Sequence, residues 1–224
     1  MKEDTRTFEI NPKIEMKEVR FKNRYGIELA GHLYLPENYQ TKKNAAIVVA
    51  GPFGAVKEQA AGLHAQQMAT YGYVTLAFDP SFGGESGGET RNMASPEIFT
   101  EDYSAAVDFL GLQKFVDRER IGAIGICGLS GMAITAAGSD TRIKAVATLS
   151  MYDMSRDMSK GYKDYYTQEQ RNIIKDYLSK QRWIDAENET VALGNHEIAF
   201  DEHNHLLQNL QLRLCHYLKM LMKS

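Results

Sequence analysis

A cysteine stands where an apolar, β-branched run gives way to small residues, in Ile121-Gly-Ala-Ile-Gly-Ile-Cys127-Gly-Leu-Ser-Gly131. A strand that turns abruptly into a helix holds the side chain at the junction clear of the backbone, and small neighbours let a carbonyl carbon come close to it. The chemistry such a junction serves is acyl transfer to a nucleophile. Two side chains compete for that role. Cys127 follows the strand directly, with Gly125 two places before it, whereas Ser130 falls where the helix has already begun, so the spacing favours Cys127. The thiolate is the reactive form of a thiol, and the positive end of the following helix together with an adjacent base would favour it. The plainer reading of Cys127 is a buried, inert cysteine at the end of a strand. Leu129 is out of keeping with an elbow, where a small residue is preferred.

Acyl transfer also needs hydrogen-bond donors for the oxyanion. Gly51-Pro-Phe-Gly-Ala-Val-Lys-Glu58 follows the apolar run Ala45-Ala-Ile-Val-Val-Ala50 and leads into a helix. A loop in that place supplies one donor N–H, and the residue after the nucleophile supplies the other. Pro52 has no N–H, so the expected donors are Phe53 and Gly128. Taken alone, the loop is an ordinary glycine-rich turn, and its pairing with an elbow gives it a role. A base for the thiol is harder to find among His32, His64, His196, His203, His205 and His216. The first two fall in an early hairpin and a crossover helix, and none of the other four follows a late strand. Asp153 is a conceivable orienting carboxylate, although an exposed loop aspartate explains it as well. Asp79 and Glu85, in Asp79-Pro-Ser-Phe-Gly-Gly-Glu-Ser-Gly-Gly-Glu89, read as turn carboxylates bonded to local backbone rather than as an acid pair. The segment from His196 to His205 lacks a His-Glu-x-x-His spacing and reads as a solvated loop, so neither a metal nor another cofactor is expected.

The elements that would position these residues alternate. Val19-Arg-Phe-Lys and Ile27-Glu-Leu-Ala-Gly-His-Leu-Tyr-Leu flank the turn Asn23-Arg-Tyr-Gly26 and read as an antiparallel hairpin, its polar alternation marking a half-exposed sheet edge. Four later runs, 45–50, 73–78, 121–126 and 143–149, are apolar throughout, as strands buried on both faces are. Helical patterns at about 57–71, 97–115 and 130–138 lie between them, giving the alternation of a doubly wound, mostly parallel α/β sheet. Ligands then belong at the carboxyl ends of the strands. Past Leu149 the pattern becomes helical and cap-like, with no further strand. The expected organisation is a core at 1–150, a helical cap-like segment at 151–200 and an atypical helical tail at 201–224.

With 224 residues, 43% of them hydrophobic, the chain can bury one sizeable core. A net charge of -3, with basic residues scattered, argues against a nucleic-acid or anionic-membrane surface. No apolar run approaches the roughly 20 residues that span a bilayer. The opening residues lack the apolar core of a signal peptide, so a cytoplasmic protein is expected. Cys127 and Cys215 stand in unrelated contexts and suggest neither a disulfide framework nor a zinc site.

Jointly, Gly51-Pro-Phe-Gly-Ala-Val-Lys-Glu-Gln, Phe78-Asp-Pro-Ser-Phe-Gly-Gly-Glu-Ser-Gly-Gly-Glu, Ala105-Ala-Val-Asp-Phe-Leu and Gly125-Ile-Cys-Gly resemble the dienelactone-hydrolase-like branch of the α/β-hydrolase superfamily, related to X-Pro dipeptidyl-peptidase-like hydrolases. The resemblance covers about 19–193. It implies a nucleophile at Cys127, oxyanion donors at Phe53 and Gly128, and cofactor-free hydrolysis of a small-molecule ester, lactone or related acyl substrate. The chain departs from that pattern in three places. Leu129 and Ser130 stand where the family keeps small residues, and Gly51 stands where dienelactone hydrolase has a glutamate. After Gly194 nothing resembles the later strands that carry the family's aspartate and histidine, and the last residues read as a truncated or rebuilt tail. A catalytically silent remnant, serving as a binding or assembly module, is therefore the alternative expectation. The apolar stretch 206–222 is expected to cover the strand at 143–149, within one chain or across a homodimer.

Overall fold

The computed structural model describes residues 5–192, and the chain divides into two compact units, Met1–Asp153 and Met154–Ser224. In the first unit six strands, β1 (Glu15–Lys22), β2 (Glu28–Leu35), β3 (Asn44–Ala50), β4 (Val74–Phe78), β5 (Val116–Ile126) and β6 (Ile143–Leu149), form one sheet in the order β1-β2-β4-β3-β5-β6. Strands β3 to β6 are mutually parallel, and β2 runs antiparallel to both of its neighbours. Parallel neighbours need a crossover, and the crossovers are α1 (Ala60–Thr70), α2 (Pro96–Gly111) and α3 (Ser130–Ser139). The doubly wound sheet read from the alternation of patterns is therefore the fold.

Each face of the sheet has its own core. On one, Leu33, Val48, Leu76 and Phe78 pack with Tyr103, Val107 and Leu110 of α2 and with Met132, Ala133 and Ala136 of α3. On the other, Val49, Ala77 and Ile124 meet Ala61, Ala65 and Ala69, which recur every four residues down one side of α1. The small side chains bring α1 close enough for the Thr75 hydroxyl to donate to Ala65 O at 2.8 Å. Ser95 caps α2 ahead of Pro96, whose missing N–H costs nothing in the first turn. Asn23 sets the hairpin turn by accepting the N–H groups of Tyr25 and Ile27 at 3.0 Å each, and Gly26 takes φ +77° there.

Two burial expectations are corrected. The half-exposed character expected of both hairpin strands holds for β1 alone. Strand β2 is buried from Leu29 to Leu35, because both faces of the sheet are covered there: Leu33 and Leu35 enter one core and Tyr34 the other. The run 143–149 was expected to be buried on both faces, yet β6 is exposed from Lys144 to Thr148. It lies at the edge of the sheet formed by the described residues. An apolar composition records what a strand tolerates, not what covers it.

In the second unit, the described residues form α4 (Met154–Lys160), a single 3-10 turn at Tyr162–Asp164 and α5 (Gln168–Asn188). Thr167 and Gln170 cap α5 reciprocally, each side chain accepting the other's backbone N–H. No described helix is long and apolar enough to cross a membrane. The stretch 206–222, Cys215, and the histidines at 196, 203, 205 and 216 lie outside the described residues.

Candidate active site

Strand β5 ends at Ile126, and Cys127 follows with φ +54°. A left-handed conformation costs a non-glycine residue about 1–2 kcal/mol, and such strain collects at functional turns. Cys127 to Leu129 form one 3-10 turn before α3 begins at Ser130. Gly125 makes that turn possible. A Cβ there would lie 2.6 Å from Ser130 Cα, 2.9 Å from Ala133 Cβ and 2.9 Å from Leu129 O. Leu129, the residue out of pattern, is buried rather than placed over the elbow, and its carbonyl accepts a hydrogen bond from the Tyr103 hydroxyl at 3.3 Å. The same hydroxyl reaches Ile124 O at 3.3 Å, so α2 braces the turn from beneath. Ser130 is fully buried and its hydroxyl donates back to Gly125 O at 2.8 Å. It closes the elbow, while half-buried Cys127 stands at the strand end.

The segment 51–59 leaves the carboxyl end of β3, which pairs with β5 so that Ala50 lies beside Gly125. Phe53 is half-buried with its ring edge-on to Phe99 at 6.2 Å, and Gly54 turns the chain with φ +79°. Among the described residues the Phe53 N–H has no hydrogen-bond acceptor. The N–H of Gly128 belongs to the first turn of a helix, where such groups have no partner within the helix. The fold thus brings the three residues singled out in the sequence, Phe53, Cys127 and Gly128, to the ends of adjacent strands.

The carboxylates behave differently from the sequence reading. Asp79 does bond to backbone, accepting the N–H of Lys57 at 2.7 Å and of Glu85 at 2.9 Å. It is also an ion-pair partner, 3.1 Å from Lys57 Nζ. Lys57 is buried, and the same ammonium lies 2.6 Å from Glu58 and 3.0 Å from Glu85. Burial disfavours its charge, but Asp79, Glu58 and Glu85 outweigh that and hold its pKa above the ordinary lysine value. Lys57 received no role in the sequence reading, since nothing in a glycine-rich loop marks one lysine as buried. Asp153 is exposed.

Neither described histidine is placed as a base. His32 is buried in β2 with Nε2 3.7 Å from Glu58, and desolvation, aided by Lys57, pulls its pKa down. His64 lies on α1 with Nδ1 2.8 Å from Ala60 O. Among the described residues no group of three or more His, Cys, Asp or Glu side chains is arranged to hold a metal ion.

A second buried polar group ties the hairpin turn to the glycine loop. Asp102 accepts hydrogen bonds from Ser81 N at 2.7 Å, Ser81 Oγ at 2.8 Å and Asn23 Nδ2 at 2.8 Å. Burial pushes its pKa up to about 6 despite those donors. A folded pKa above the unfolded value means that the fold favours the neutral form. The stabilisation is complete below about pH 4 and is lost as pH rises to about 6, a change of roughly 3 kcal/mol at 1.36 kcal/mol per unit. Urea unfolding across pH 4 to 7 is expected to show the wild type losing roughly 3 kcal/mol relative to Asp102→Asn as pH rises, since the other titrating groups are common to both. Equal slopes would mean that Asp102 titrates alike in folded and unfolded chains.

No family model matches the chain. It is 59% identical over 187 residues to PA2218, an uncharacterized protein of Pseudomonas aeruginosa, an alignment covering 84% of this chain and 50% of that protein. The crystal structure of PA2218 matches with a TM-score of 0.83 and 53% identity, covering 95% of this chain and 67% of the other. A thiohydrolase of Aspergillus aculeatus, aneE, is 38% identical over 132 residues, covering 59% and 40% of the two chains. The α/β hydrolase GrgF of a Penicillium species shares the fold, with a TM-score of 0.68 at 22% identity over 79% of this chain and 56% of its own. The chain spans about half the length of the curated relatives it matches. The sheet order, the strained turn after β5 and these likenesses show that the chain has the α/β-hydrolase fold and is a relative of PA2218.

Proposed function

We propose that this chain carries the nucleophile and oxyanion half of a hydrolase site acting on a small-molecule ester, thioester or lactone. The observation that carries the reading is Cys127 at φ +54° on a one-turn link between β5 and α3. Likeness to a thiohydrolase supports the acyl class of substrate. In the proposed reaction the Cys127 sulfur, its proton passed to a base, attacks the acyl carbonyl carbon and forms a C–S bond. The carbonyl oxygen takes up the charge, which the N–H groups of Phe53 and Gly128 stabilise. The tetrahedral adduct collapses, breaking the bond to the leaving group, which departs with a proton. Water then attacks the thioester, releasing the acid and restoring the thiol.

The test is chemical. Limiting iodoacetamide followed by peptide mapping is expected to label Cys127 ahead of Cys215. An activated short-chain ester is expected to leave an acyl mass increment on the Cys127 peptide. Preferential labelling of Cys215, or ester turnover with no acyl adduct at Cys127, would remove the assignment.

A further inference from the structure

We infer that Lys57 is a positioning residue for the oxyanion loop: its buried ammonium clamps the turn carrying Phe53 to the glycine loop after β4. The inference rests on the acyl-transfer reading above. Between the end of β3 at Ala50 and Lys57 the loop holds itself weakly, through Ala55 N to Pro52 O at 3.0 Å and Val56 N to Gln59 Oε1 at 3.2 Å. Lys57 supplies the far anchor twice. Its N–H donates to Asp79 Oδ1 at 2.7 Å, and its Nζ reaches Asp79 Oδ2 at 3.1 Å.

Asp79 is itself fixed, its N–H donating to Ala30 O of β2 at 2.9 Å. The glycine loop closes around it, since a Cβ on Gly84 would lie 2.3 Å from Asp79 Oδ2. One ammonium thus gathers carboxylates from two segments: its neighbour Glu58 before α1, and Asp79 and Glu85 in the glycine loop after β4. Arg20 of β1 adds a second cation, 3.5 Å from Glu85. A buried charge persists only when paired, and a fully paired network fixes its members in one geometry. An apolar side chain would fill the space at Lys57 without tying the loops together. Oxyanion donors are effective when held in place before reaction, and small displacements at a reacting centre are expensive. Three residues separate Phe53 from this anchor.

The experiment compares wild type, Lys57→Met, Lys57→Arg and Glu85→Gln by hydrogen exchange, by acylation of Cys127 with an activated ester and by alkylation of Cys127 with iodoacetamide, a reaction that forms no oxyanion. In Lys57→Met, exchange in peptides covering 51–58 and 79–89 is expected to quicken at least tenfold while α2 and β5 stay protected. Acylation is expected to fall ten- to a hundredfold with the half-saturating ester concentration unchanged, and alkylation to stay within threefold. Lys57→Arg is expected to restore part of both losses. The Glu85 side chain is 33% exposed, so Glu85→Gln leaves no fully buried charge unpaired and keeps the comparison available should Lys57→Met fail to fold. It is expected to show the same pattern at smaller amplitude. Unchanged exchange in the two loops, exchange quickening uniformly across the sheet, or acylation and alkylation falling together would overturn the clamp. A wild type that forms no acyl-enzyme defeats the acyl-transfer reading, and the exchange data then still decide whether Lys57 holds the loop.

Discussion

Replacing Cys127 by alanine is expected to lower the rate of acyl-enzyme formation by about a thousandfold or more, roughly 4 kcal/mol of transition-state stabilisation. Removing the nucleophile deletes the bond-forming step, and only binding and the oxyanion donors remain. The backbone gives no reason for a folding defect. Alanine at φ +54° carries the same left-handed strain as cysteine, and half-buried Cys127 only packs against the margin of one core, on the α1 side of the sheet. Cys127→Ser keeps the shape and exchanges the thiol for a poorer nucleophile, so it is expected to be slow as well. Stopped-flow release of a chromophoric leaving group, with intact mass to count adducts, measures all three proteins. An alanine variant that keeps more than a tenth of the wild-type rate would show that the chemistry runs elsewhere.

Gly125→Ala is expected to destabilise the first unit by about 2–3 kcal/mol, the upper part of the range for forcing an extra methyl into a packed interior. The new Cβ meets Ser130 Cα at 2.6 Å, and only the start of α3 could move to admit it. That movement would also break the hydrogen bond from the Ser130 hydroxyl to Gly125 O and loosen the turn that presents Cys127. Gly131→Ala, six residues on and inside α3, is the matched control. Nothing lies within 4 Å of its Cβ position, and alanine in a helix is worth up to about 1 kcal/mol over glycine. The two variants are therefore expected to move the urea midpoint in opposite directions. Equal midpoints would mean that the elbow does not need its glycine.

The apolar runs at 45–50, 73–78, 121–126 and 143–149, with helical spacing between them, determined the parallel sheet, because burial on both faces admits only apolar residues. Gly125 ahead of Cys127, followed by small residues, likewise determined where the elbow would fall. Local steric rules govern both, and a sequence records local rules well. It did not record which strand faces would be covered: β2, read as half-exposed, feeds cores on both faces of the sheet, and β6, whose edge position the reading did expect, is exposed from Lys144 to Thr148 although its composition reads as buried on both faces. Nor did it mark Lys57. Nothing in the residues around it distinguishes this lysine, and only the approach of the loop carrying Asp79 and Glu85, beside its neighbour Glu58, makes its burial possible. The sequence by itself determined that Phe53, Cys127 and Gly128, the residues proposed for the site, would fall just past the ends of two strands. Tertiary structure alone decided the electrostatics around it, because desolvation and pairing depend on what lies nearby in space.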